Sequence, residues 1–236
     1  MKYSLLLTVL PMIFMGWTSC SHSNKNIPTL PDPRMVIKSG AEYKNPFHPS
    51  TYAHFVARKD YRDTYDVYKD DSLLNKQNKK SRKIFICLNE QRGQYLVDGL
   101  VAMDFPLSSG VKAHPTKTGN YTIIAKKEDH SSNLYGKMFD AEGKCIDYNA
   151  NATDIVPEGG HFVGSPMPYW QRLTNDGLGL HVGKVRRRPL SHGCIRLPRN
   201  VAKILYKQTS IGTPVTVCTS PLPVQEVQKH PAVLAK

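Results

Sequence analysis

Acidic residues are scarce in this chain. In 236 residues, 19 Asp and Glu stand against 32 Lys and Arg, a formal charge of +13. An excess of that size favours contact with a polyanion or an anionic surface without saying which one. No Cys-x2-Cys or His-x3-His pair occurs, so the usual ligand spacings of a structural zinc site are missing. No RNA- or DNA-binding signature accompanies the arginines, and no internal repeat marks a solenoid or an array. The apolar run from Leu5 to Met15 is too short to span a bilayer comfortably.

What is present begins with that run. "MKYSLLLTVLPMIFMGWTSC" has an early lysine, an apolar stretch and small residues before Cys20, the shape of an export signal over residues 1–20. Thr18, Ser19 and Cys20 resemble the end of a bacterial lipoprotein signal, with Trp17 where that pattern usually has leucine. The resemblance implies lipidation at Cys20 and a protein anchored in the cell envelope or periplasm. Export leaves Cys87, Cys145, Cys194 and Cys218 where disulfides persist, with one bridge plus a spare thiol as the simplest arithmetic. Cys87 and Cys218 lie in strand-like runs, where two buried thiols are an equal expectation.

Composition then divides the chain. Residues 21–82 are first rich in Pro, Ser and Asn, then dense in mixed charge and tyrosine, and read as a flexible, charged tether. At Lys83 the pattern changes. "KIFICLNEQRGQYLVDGLVAMDFPLSSG" predicts three successive antiparallel strands separated by turn chemistry, and "GNYTIIAKKE" predicts another. Residues Asp129 to Glu158 read as a polar excursion, "GLGLHVG" as a strand ending at a histidine, Arg199 to Gln208 as a short helix and "GTPVTVCTS" as a closing strand. Residues 220–236 form a C-terminal tail. One mostly β domain over 83–219 is expected.

The chemistry concentrates in "LSHGCIRLP", residues 190–198. A cysteine that attacks an acyl carbon needs a base, a fixed partner for that base, and donors aimed at the oxyanion. His181 lies thirteen residues before Cys194, far enough for a loop to double back and bring the imidazole to the sulfur. Gly193 removes side-chain bulk, so the N–H groups of Gly193 and Cys194 can turn toward one oxygen. Arg196 supplies a fixed charge that favours thiolate or grips a substrate carboxylate.

"HVGKVRRRPLSHGCIRLP" resembles the active-site signature of the L,D-transpeptidase (YkuD-type) family, and all seven residues from Ser191 to Leu197 fit it. "HPTKTGNYTI" resembles the family's Thr-Pro-x-Gly loop, and "MPYWQRLTNDGLGLHVG" its substrate-side segment. The resemblance runs from about Lys83 to Thr219. It implies a mixed β-sandwich with short helices, Cys194 as nucleophile, and His181 as its base, held by a backbone carbonyl such as that of Val182. It further implies that His192, Gly193 and Ser191 shape the pocket, and that Arg196, Met167, Tyr169 and Trp170 face substrate. The implied reaction transfers the acyl group of a peptidoglycan stem tetrapeptide, with release of D-alanine, to an amine through a thioester, without metal or cofactor. The short His181–His192 span, the arginines 186–188, and the His and Lys around the Thr-Pro loop depart from the usual pattern and leave the acceptor open.

Rival readings stay beside this one. They are a zinc site on His181, His192 and Cys194, a basic nucleic-acid binder, a non-catalytic wall-binding module of the same fold, and a hydrolase that uses water as acceptor. An anionic wall polymer or membrane surface is the partner expected for the charge, in place of nucleic acid.

Overall fold

The computed structural model describes residues 44–77 and 81–221. The export signal, Cys20, the first part of the tether and most of the C-terminal tail lie outside the described residues. Among the described residues the fold is mostly β, with three short helices.

The three expected strands are β2 (Arg82–Cys87), β3 (Arg92–Val97) and β4 (Leu100–Pro106), joined as antiparallel neighbours. β13 (Pro214–Cys218) lies parallel to β2, and β5 (Gly119–Thr122) pairs with its far side. With β1 (Tyr68–Lys69) on β4, the sheet order is β1-β4-β3-β2-β13-β5. "IFIC" reads apolar without alternation because both faces of β2 are covered. Ile84 and Ile86 point into the main core, while Phe85 and Cys87 point to the opposite face.

The main core fills the space between this sheet, α3 (Arg199–Gln208) and a second sheet. In α3, Val201, Ala202 and Leu205 form one buried stripe at helical spacing. The second sheet has the order β12-β11-β10-β6, built from β6 (Ala125–Lys127), β10 (Trp170–Arg172), β11 (Gly179–Val182) and β12 (Ile195–Leu197). "GNYTIIAKKE" is therefore two strands in two sheets, with buried Ile123 between them.

Two expectations are corrected. The segment 44–76 is folded against the first sheet rather than hanging as a tether, its earlier part on the outer face and Leu73 and Leu74 in the main core. There α1 (Tyr52–Val56) is capped by the Thr51 side chain, and α2 (Asp71–Leu74) by that of Asp70. Tyr52, Phe55, Val56 and Tyr61 close over Phe85, Leu96 and Val101. Tyrosine density that read as solvated connector is the cover of a second core. The polar excursion is also regular: β7 (Ser131–Phe139) pairs with β8 (Cys145–Asn151) and with β9 (His161–Pro166). Its polarity reflects a sheet exposed over much of both faces, with Ile146 and Val163 about half exposed and Tyr148 about two thirds.

Beneath the N-terminal cover sits Asp104, fully buried. Its carboxylate accepts from Arg92 Nε at 2.5 Å, Tyr52 Oη at 2.7 Å, Tyr61 Oη at 2.9 Å and Gln94 Nε2 at 3.0 Å. Arg92 donates its remaining nitrogens to the carbonyls of Thr64 and Asp66. Burial first, and then the Asp104 charge, push both phenols upward, so each keeps the proton it donates.

Candidate active site

The parallel ladder between β11 and β12 sets the site. Leu180 pairs with Ile195, His181 with Arg196 and Val182 with Leu197. Residues in register on neighbouring strands project from the same face, and residues two apart share that face. Cys194, Arg196 and His181 therefore line one wall of a cleft of about 780 Å³. Across the ladder His181 stands opposite Arg196, two residues beyond Cys194.

His181 is 6% exposed. Its Nδ1 lies 2.8 Å from the Val182 carbonyl, and a carbonyl only accepts, so Nδ1 carries the proton and Nε2 keeps its lone pair. Desolvation, against a smaller opposing effect of the Val182 carbonyl, lowers the imidazole to about 4, and the Arg196 charge pushes the same way. The imidazole is neutral at physiological pH.

Cys194 departs from the sequence expectation. Burial raises its thiol above the ordinary value, and the Arg196 charge offsets only part of that. The resting pair is thus thiol and neutral imidazole, not a preformed thiolate, and the sulfur lies 3.4 Å from the Gly177 carbonyl. Arg196 lines the cleft with no ion pair among the described residues, its stem against Gly183, where a Cβ would stand 2.7 Å from Arg196 Cγ.

The loop that carries Cys194 is stitched from both sides. Ser191 Oγ donates to the Cys194 carbonyl and accepts from Gly193 N at 3.1 Å. That bond occupies one of the two N–H groups expected to face an oxyanion. Gly193 has φ +118°, a conformation that L side chains rarely adopt. Thr116, in the Thr-Pro loop, donates to the Gly193 carbonyl at 2.6 Å and accepts from Gly110 N at 2.8 Å. Gly110 pairs with Ser191, and a Cβ there would stand 2.1 Å from the His114 carbonyl. "SSG" is thus more than a turn: Ser108 exchanges both backbone hydrogen bonds with Arg196, clipping the first sheet to the motif.

Of the remaining expected residues, His192 stacks on Tyr135 of β7, with ring centroids 4.4 Å apart, and meets His114 edge-on at 5.0 Å. Trp170 stacks on His130 at 5.0 Å and leans on His181 at 5.9 Å. Met167 lines the cleft. Tyr169 does not: its ring turns away to Tyr206 on α3, 5.6 Å between centroids. Its φ of +57° reverses the side chain relative to its neighbours. Sequence reasoning missed Thr116, His130 and Tyr135. Only Thr116, inside the quoted Thr-Pro loop, carried a local signal.

Arg187 is withdrawn from the basic loop. One of its terminal nitrogens donates to the Glu90 carbonyl at 2.9 Å, while Lys184, Arg186 and Arg188 are exposed. Among the described residues, no three His, Cys, Asp or Glu side chains converge to hold a metal ion.

Residues 81–217 match the YkuD family, the L,D-transpeptidase catalytic domain. No curated protein matches the chain. Among solved structures, an L,D-transpeptidase from Mycobacterium smegmatis is 22% identical at a TM-score of 0.45, covering 58% of this chain and 58% of that one. An L,D-transpeptidase from Stackebrandtia nassauensis is 22% identical at 0.44, covering 70% and 65%. A mutant L,D-transpeptidase from Enterococcus faecium is 28% identical at 0.43, covering 59% and 50%. The chain spans less than two thirds of the length of each.

Proposed function

Because the chain belongs to the YkuD family of L,D-transpeptidase catalytic domains, we propose that it is a peptidoglycan L,D-transpeptidase acting through a thioester on Cys194. The observation that carries the reading is the β11–β12 ladder, which brings a buried neutral imidazole and a thiol into one cleft wall. His181 Nε2 takes the thiol proton as sulfur attacks the acyl carbon of the stem tetrapeptide. The same proton passes to the departing amine of D-alanine. An acceptor amine then attacks the thioester, returns a proton to His181, and frees the sulfur.

Each neighbour has a task in this scheme. The Val182 carbonyl holds the base in the required tautomer. Because the thiol is held above its ordinary value, the base must act during attack rather than before it. The Cys194 N–H faces the developing oxyanion, and Arg196, without a carboxylate of its own, binds a substrate carboxylate. Ser191 and Thr116 keep the loop in place. Met167, Trp170 and His192 border the bound peptide. We place the protein in the envelope of a bacterial cell, exported by residues 1–20 and held by lipid at Cys20, with the exposed arginines toward an anionic wall polymer or membrane surface.

Incubating purified protein with defined muropeptides and weighing the products tests the reaction. A joined peptide that is lighter by the mass of D-alanine is the expected product, and none is expected from Cys194→Ala. Turnover by Cys194→Ala at the parental rate overturns the reading. A product lacking D-alanine with water in place of the amine assigns hydrolysis instead.

A further inference from the structure

A pair of thiols lies far from the cleft. Cys87 ends β2, Cys218 ends β13, and the two are register partners in the parallel ladder. Backbones of neighbouring strands run about 4.8 Å apart. The Cα atoms of register partners therefore fall within the roughly 4.4–6.8 Å that a disulfide spans. Both side chains leave the same face and pack into the cluster under α1. Each sulfur comes within reach of the other strand: Cys218 Sγ lies 2.8 Å from the Ser220 carbonyl beside it and 3.7 Å from the Ile86 carbonyl on β2, and Cys87 Sγ lies 3.4 Å from the Thr219 carbonyl just beyond β13. Cys145 is elsewhere, on β8, and Cys194 is in the cleft.

We propose that Cys87 and Cys218 form a disulfide that staples β2 to β13. The oxidant is an external disulfide of the class RSSR. The Cys218 thiolate attacks one sulfur of RSSR, giving a Cys218–S–SR mixed disulfide and one RS⁻. The Cys87 thiolate then attacks the Cys218 sulfur and expels the second RS⁻. The two thiol protons end on the two RSH released, the protein loses two hydrogens and two electrons, and RSSR gains them. Cys218 is the half-buried partner and the point of entry, and Cys87 is fully buried. Burial pushes the folded Cys87 thiol up to about 11, so exchange in the finished fold is slow and the bond belongs to the folding chain. It uses two of the four thiols beyond residue 20 and leaves Cys194 unpaired, as acyl transfer requires. The proposal does not rest on the transpeptidase reading.

The full chain, denatured and reduced, is refolded in a buffer of reduced and oxidised glutathione, alkylated and digested without reductant. The peptide bearing Cys87 is expected joined to the peptide bearing Cys218, with a mass two hydrogens below the sum. The oxidised protein is expected to melt on the order of 5 °C above the reduced one, because the closed loop is long. Cys218→Ser and Cys218→Ala are each expected to lose both the cross-link and the oxidation-dependent shift. Refolded protein with Cys87 and Cys218 both alkylated, or with either joined to Cys145 or Cys194, overturns the proposal. Muropeptide turnover measured on the same samples reports on Cys194 separately.

Discussion

Two clusters of polar side chains sit on opposite sides of the first sheet, and they are built by different rules. Around Asp104 the carboxylate has four donors, and the Arg92 guanidinium that faces it is fully buried with it. Around Cys194 the pairing is left incomplete: Arg196 has no acid among the described residues, and the thiol and imidazole both rest uncharged. A buried charge that is fully paired holds structure, and one partner's loss leaves the other stranded. Groups whose valences open onto a cleft are available to a ligand.

The sharpest way to break this contrast is at His181. His181→Gln is expected to cost about 10²–10⁴-fold in turnover of muropeptides while the melting curve at pH 7 stays cooperative. A variant that stays as fast as the parent would move His181 to the structural side. Asp104→Ala is expected to do the reverse, costing about 3–5 kcal/mol of stability in urea unfolding because Arg92 is left buried and unpaired. Turnover per folded molecule is expected to change little. A large loss of rate in fully folded Asp104→Ala would join the two regions.

A third difference concerns acid. His181 titrates at about 4 in the fold and near its ordinary 6.5 when unfolded. Between those values the unfolded chain binds a proton that the native chain does not, so this group's contribution falls as pH drops through that window. The deficit reaches about 3 kcal/mol near pH 4. Urea midpoints at pH 7, 5.5 and 4.5 are expected to fall faster in the parent than in His181→Gln, and parallel declines would contradict the buried neutral imidazole. The smallest effect is expected for Tyr52→Phe, which removes one donor of four to Asp104 and costs about 1.5–3 kcal/mol in the same measurement.

The site was legible where its parts are local. "SHGCIRL" places Ser191, Gly193, Cys194 and Arg196 together by sequence alone, and "GLGLHVG" marks a strand that ends at His181. The Asp104 cluster was not legible, because Tyr52, Tyr61, Arg92 and Asp104 come from distant stretches whose charges and tyrosines look solvated one at a time. A clue was present in "IFIC": a strand apolar on both faces needs a cover on both, and the cover is the segment read as a tether. The excursion at 129–158 hid its strands for the opposite reason, since a sheet exposed on both faces has little hydrophobic period to display. Tyr135 and His130 reached the cleft without any local mark.

By itself the sequence determined which residues gather around Cys194, the strand that carries His181, and a mostly β domain, because those depend on residue type and short spacing. Only the tertiary structure decided the electrostatics. Burial outweighs the nearby guanidinium and keeps the thiol protonated, it holds the imidazole neutral, and one backbone reversal turns Tyr169 away from the cleft. Desolvation depends on what every other element packs against a group, and no short stretch of chain contains that information.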